Sequence, residues 1–211
     1  MKTAIIGIVA LVVVVAGVVA GCWGYSRRDT AATLPLTARP QGKIAIVYYS
    51  QSSVQNTALV ARWIQGQVGC DLLPLEMASP YPEPYGATLA AAGKHHRENA
   101  RPPLKTLPSL DGYDVVFLGS PIWYGTYAPP VATFLDVEKL TGKVVAPFCT
   151  HGGGGAGRFA AAVREACPGA EVLEPLVIRG SNQVERRLGL GVTLRHDADD
   201  VVAWLNRVFK P

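Results

Sequence analysis

Charge is the first thing this sequence is short of. Charged residues fill 17% of its 211 positions, and the formal net charge is +4. Most of that excess is local. Lys2, Arg27, Arg28 and Arg39 against Asp29 give +3 over residues 1–42, which leaves +1 for the other 169 residues, with 16 basic and 15 acidic. A domain so close to neutral has no electrostatic footprint for nucleic acid, and no nucleic-acid partner is expected. Cysteine is scarce as well. The four cysteines at 22, 70, 149 and 167 form no CxxC pair, and no histidine stands at zinc-finger distance from a pair. Neither a metal site nor a disulfide framework is expected, and Cys70, Cys149 and Cys167 read as small buried apolar residues. Three nucleophile and nucleotide signatures are also missing. There is no GxxxxGK[ST] loop, no GxGxxG turn at the exit of the first apolar strand and no GxSxG elbow, and Ser120 is followed by Pro121. A phosphate loop with its lysine, a classical dinucleotide turn and a serine-hydrolase elbow are thereby excluded. Gly at 22 and Pro at 16 show no period, so collagen-like and low-complexity chains are excluded too.

What is present begins with an apolar run. Residues 4–21 carry no charge and follow Lys2. As a helix they extend about 27 Å, enough to cross a hydrocarbon core. The run ends Val19-Ala20-Gly21-Cys22. That ending resembles a bacterial lipobox, in which Cys22 is lipid-modified and the preceding peptide removed. The alternative is an uncleaved anchor helix whose flank, with Arg27 and Arg28, stays in the cytoplasm. Both attach the chain to a membrane, on opposite sides, and both leave residues 1–22 outside the fold. Residues 23–42 are rich in Ser, Thr, Ala, Pro and Gly without apolar period, and read as a linker to a domain over 43–211.

From residue 43 the pattern alternates. Continuous apolar runs at 43–49, 71–77, 114–119, 144–149 and 172–178 suit strands buried on both faces. Pro74 assigns the second of them to an edge. Helical spacing is read at 56–68, about 87–100, 130–138, 157–166 and 197–209, the last opening with Asp197, Asp199 and Asp200. Five apolar strands separated by helices predict an α/β fold, a three-layer doubly wound parallel sheet of order 2-1-3-4-5. In such sheets ligands bind beyond the carboxyl ends of the strands.

Three unusual loops stand at those ends, after the first, third and fourth strands, which this order makes neighbours. Ser50 to Thr57 gathers hydroxyls and amides before a helix N-terminus, with no Lys or Arg. It suits a phosphate, or simply caps the helix. Gly119 to Pro130 carries Trp123, Tyr124 and Tyr127 in a proline-framed loop. It suits a planar ring, or forms an apolar plug beneath a helix. Thr150 to Gly157 carries four consecutive glycines, whose bare N–H groups suit a ligand edge, or a flexible turn. The adjacent His95 and His96 read as a solvated helix face with Arg97 and Glu98.

These segments are recognisable. IAIVYYSQSSVQNT is similar to the phosphate loop of the flavodoxin-like family, DVVFLGSPIWYGTYAPPVATFLD to its ring-stacking loop, and CTHGGGGAGR to its third flavin loop. HHRENARPPL within 78–111 resembles one bacterial subgroup. The resemblance covers nearly all of 43–211. Two features depart from the family pattern. The first loop carries two extra residues between Ser52 and Asn56-Thr57 and lacks the family's glycine. The domain also lacks the acidic surface of electron-shuttling flavodoxins. The resemblance implies FMN as cofactor. Its phosphate is expected at Ser50, Ser52, Gln55, Asn56 and Thr57, and its ring against Trp123 and Tyr124, framed by Pro121, Ile122 and Gly125. Its polar edge is expected at Thr150, His151, Gly152, Gly153 and Gly154. The implied function is electron transfer at a membrane surface, with a redox partner protein or a quinone. The alternatives are an FMN-dependent quinone or NAD(P)H reductase, with His151 as candidate proton donor or else a turn residue facing water, and a flavin-free adaptor that kept the fold.

Overall fold

The computed structural model describes residues 32, 34–51, 55–180 and 198–210. The apolar run 4–21, Cys22, Ser52 and Asp197 lie outside the described residues. In chain order the elements are β1 (Ile44–Tyr48), α1 (Asn56–Val68), β2 (Asp71–Pro74), α2 (Tyr85–Arg97), β3 (Val115–Trp123), β4 (Thr126–Tyr127), α3 (Pro129–Val137), β5 (Val144–His151), α4 (Phe159–Ala166), β6 (Glu171–Val172), β7 (Leu176–Arg179) and α5 (Ala198–Val208). The sheet runs β2-β1-β3-β5-β6, parallel throughout this path, with β7 also parallel to β5. This is the expected doubly wound order, and β2 with its Pro74 is the expected edge.

The central strands read as unbroken apolar runs because both faces are covered. Ala45, Val47, Val116, Leu118, Val145 and Cys149 point to one face, where they pack with Ala92 of α2, Val131 and Phe134 of α3, and Phe159 and Val163 of α4. Their alternates Ile46, Phe117, Ala146 and Phe148 point to the other, against Val60, Trp63 and Ile64 of α1 and Val201, Trp204 and Leu205 of α5. The layers are therefore α2, α3 and α4, then the sheet, then α1 and α5.

Three expectations shift. The fifth strand is split into β6 and β7. Val145 pairs Val172 but Phe148 pairs Leu176, so three residues oppose two, a bulge. Pro175 and, across from it, Pro147 lack the N–H groups that would keep the ladder continuous. The Glu174 carbonyl released there accepts from the Trp204 indole N–H at 2.9 Å. β3 continues four residues past its expected end and turns back as a hairpin with β4, Ile122 facing Tyr127 and Trp123 facing Thr126. Residues 34–38, expected to belong to the linker, lie along α5. Asn206 Oδ1 accepts from Thr37 N at 2.7 Å and Ala38 N at 3.0 Å, and its Nδ2 donates to Pro35 O at 2.9 Å. Leu34 N donates to Asp199 Oδ1 at 2.8 Å.

Candidate functional site

The loops leaving β1, β3 and β5 meet at one edge of the sheet, because their strands are neighbours. The first loop delivers the amino end of α1. Ser50 Oγ accepts from Ala58 N at 3.4 Å. Gln55, immediately before the helix, has φ 55° and ψ 42°, the left-handed conformation. It stands directly before Asn56-Thr57, where the family pattern carries glycine, the residue that adopts this conformation most readily. Asn56 lies against the end of β7, where any Cβ at Gly180 would overlap the Asn56 amide. The Gly180 N–H donates to the His151 carbonyl at 2.9 Å.

Thr57 and Thr150, from the first and third loops, face each other. Their hydroxyls are 2.9 Å apart, at 2% and 4% exposure, and form a buried bond that ties the two loops together. The second and third loops are tied through Gly125, whose carbonyl accepts from Arg158 N at 2.8 Å. Gly157 comes so close that a Cβ there would overlap that same carbonyl.

In the second loop the aromatics divide. Trp123 is 6% exposed and engaged edge-on by Tyr49 (centroids 5.8 Å, 84°) and Tyr81 (5.4 Å, 77°). Its place is the plug beneath α2, not an open ring face. Tyr124 is 51% exposed, and at φ 51° it shares with Gly125 (φ 78°) the two-residue turn of the hairpin. Its ring stacks on His96 (5.6 Å, 17°) and its hydroxyl donates to Leu89 O at 2.6 Å. Pro121 and Ile122 are half-buried beside it, and Ser120 Oγ beneath accepts from Ala128 N at 2.9 Å.

His151 organises the third loop. Its Nδ1 accepts from Gly153 N at 3.0 Å and Gly155 N at 3.1 Å. An acceptor Nδ1 places the proton of the neutral ring on Nε2. Gly152, Gly153 and Gly154 are exposed, with nothing within 4 Å of where a Cβ would stand. Their backbone is open to an incoming group.

The reading of His95 and His96 as a solvated face holds for His96, exposed with Arg97 and Glu98, and is corrected for His95, which is half-buried. His96 carries Tyr124, and His95 Nδ1 lies 2.9 Å from the Tyr81 hydroxyl. Burial raises the Tyr81 phenol to about 12, so it stays protonated at neutral pH. Tyr49, Tyr81 and Gly180 were missed by sequence reasoning. The Pro/Tyr-rich composition of 78–84 was the only signal for Tyr81. Among the described residues no group of three or more His, Cys, Asp and Glu could hold a metal, and no helix is long and apolar enough to cross a membrane.

The family model for flavodoxin, Flavodoxin_4, matches residues 43–188. The chain belongs to the flavodoxin family. Among solved structures, one described as a flavoprotein from Bacteroides eggerthii DSM 20697 is 27% identical, covering 81% of this chain and 100% of its own, with a TM-score of 0.65. A flavoprotein from Lactobacillus acidophilus NCFM, solved in complex with FMN, is 24% identical over 69% of this chain and 98% of its own, with a TM-score of 0.56, a likeness of fold. Among curated proteins none matches the chain. In this flavodoxin the three expected loops thus stand together at the carboxyl edge, with Thr57, Thr150 and Trp123 turned inward and Tyr124 and Gly152 to Gly154 turned outward.

Proposed function

We propose that this flavodoxin binds FMN at the carboxyl edge of its sheet and transfers electrons at a membrane surface. The observation that carries this reading is the convergence of the first and third loops, locked by the Thr57–Thr150 bond, beside an exposed tyrosine on the second. The residues fit the group. The amino end of α1 offers main-chain N–H groups that no helical carbonyl takes up, together with Ser50, Gln55 and Asn56, which suits a phosphate without Lys or Arg. Tyr124, framed by Pro121, Ile122 and Gly125 and backed on one side by His96, offers a half-exposed ring for a flat tricycle, with Trp123 as the packing beneath. The N–H groups of Gly152 and Gly154 would face its polar edge, with the Gly153 N–H held by His151. The flavoprotein from L. acidophilus supports the choice of cofactor, since a chain of this fold takes FMN.

When bound, FMN supplies one- and two-electron chemistry, and the protein supplies position and tuning. His151 holds the glycine turn through Nδ1 and keeps a proton at Nε2. The scarcity of positive charge in the first loop, and the near-neutral domain, disfavour extra negative charge on a reduced ligand. The membrane part of the reading rests on the uncharged run 4–21 and Cys22. The redox partner is a membrane-associated protein or a quinone. The test is titration of the purified protein with FMN. Binding is expected, with Tyr124→Ala weaker by roughly fivefold from loss of ~1 kcal/mol of ring contact. A protein that takes up no FMN is a flavin-free adaptor.

A further inference from the structure

We infer that the carboxyl edge of the sheet, the edge that carries the candidate cleft, faces the lipid bilayer. The inference rests on the reading that residues 4–22 hold the chain in a membrane. It goes beyond that reading by assigning which side of the domain the membrane covers.

The argument comes from where the chain leaves the domain. Residues 34–38 run beside α5 in the same direction as the helix, Leu34 at Asp199 in its first turn and Thr37–Ala38 at Asn206 near its last. Asp199 and Asn206 are seven residues apart, about 10 Å along the axis. The chain then continues to the amino edge. There Arg39 to Ile44 line a recess with Val68 and Gly69 at the end of α1 and Cys70 and Asp71 at the start of β2. Ala38 is therefore the lower point and Leu34 the upper one. The first turn of α5 stands toward the carboxyl ends of the strands, and Leu34 emerges there. A linker ending at Lys43 would have attached the domain by its amino edge. The docked strand reverses that.

The length of the remaining tether makes this orientation matter. Whether residues 4–21 stay as an anchor or Cys22 carries lipid, residues 23–33 connect the membrane to Leu34. Even fully extended, eleven residues span at most ~40 Å. Turning the amino edge to the membrane would require the tether to run back past the sheet, whose longest strand, β3, extends ~30 Å. Arg27 and Arg28 in the tether suit anionic headgroups. Tyr124, exposed at the carboxyl edge, is an amphipathic ring of the kind that sits at a headgroup layer. An electron donor or acceptor that reaches this cleft is then itself resident in the membrane.

The test uses the full chain in vesicles of phosphatidylcholine and phosphatidylglycerol. An azide-bearing residue replaces Arg158, beside Gly125 at the carboxyl edge, or Asp111, in the loop that enters β3 at the amino edge, and a fluorophore is attached to it. Nitroxide-labelled headgroup lipids serve as the quencher. The fluorophore at 158 is expected to be quenched several-fold more than that at 111. Inserting twenty Gly/Ser residues after Thr30 is expected to shrink the difference. Equal or reversed quenching in chains that float with the vesicles overturns the orientation while leaving membrane attachment intact. Chains that do not float with vesicles overturn attachment, and the orientation with it. FMN uptake is measured separately on the same samples, so loss of the cofactor reading is distinguishable from both.

Discussion

At the scale of single residues, the site depends on a bond between two of its own loops. Thr57 and Thr150 form a buried hydroxyl pair that joins two loops from different strands. Replacing either one by Val leaves the other hydroxyl buried without a partner, which costs about 1–3 kcal/mol. The double variant removes both and is expected to cost less than the sum of the singles. A double-mutant cycle in urea reads this coupling, and strictly additive losses would show that the bond contributes nothing. The sequence pointed to both threonines as ligand contacts. What it could not show is that their hydroxyls face each other, because a separation of 93 positions conceals the contact. Gln55 shows the converse. From sequence it marks a departure from the family loop, yet its backbone takes the left-handed shape that glycine adopts most readily.

At the scale of elements, the hairpin of β3 and β4 and the turn before α4 act as one unit. The Gly125 carbonyl takes the Arg158 N–H, and Gly157 allows that approach. A Gly157→Ala side chain would overlap backbone at a residue with φ +55°. That combination is expected to cost at least ~2 kcal/mol from strain and steric displacement. Chemical denaturation measures the loss, and amide exchange at Arg158 should rise as its bond to Gly125 is lost. An unperturbed Arg158 amide would contradict the role assigned to Gly157. The strands and most helices were legible because burial on both faces leaves unbroken apolar runs of β-branched residues. The hairpin was not. Its Tyr124-Gly125 turn lacks the usual Asn-Gly signal, and its aromatics read equally well as a ligand platform or a plug. The structure buries Trp123 as the plug and leaves Tyr124 at the surface, so the aromatics of one loop divide. The break between β6 and β7 was likewise hidden, since a bulge leaves the apolar composition of 172–178 unchanged.

At the scale of the molecule, the domain begins before residue 43. Asn206 holds three main-chain groups of residues 35–38, and Ala38 is buried. A chain starting at residue 43 is expected to be less stable than one starting at 34 by ~2 kcal/mol, or roughly 4–8 °C in the thermal midpoint. Equal midpoints would show that the segment only rests on the surface. Sequence composition could not reveal this, because a strand held by one asparagine has no apolar period.

Alkaline pH tests the core as a whole. Burial raises Cys149 from 9.0 to about 12, Cys167 from 9.0 to about 11 and Tyr81 from 10.0 to about 12, and pushes Tyr49 higher still. The folded chain therefore binds these protons more tightly than the unfolded chain. Their contribution is fully present below pH 9.0 and is lost as pH rises toward about 12. Denaturation midpoints are expected to be flat from neutral pH to 9.0 and to fall steeply above it. A fall that begins nearer neutral pH would place its origin outside these four groups.

The most direct measurement is equilibrium titration of the purified protein with FMN, followed by quenching of flavin fluorescence and by amide shifts. The expected result is saturation at one FMN per chain, with shifts at the amino end of α1, at Tyr124-Gly125 and at Gly152 to Gly154, and none at the amino edge around Gly69. Flavin fluorescence and those amides unchanged at saturating FMN would contradict a flavin site at this edge.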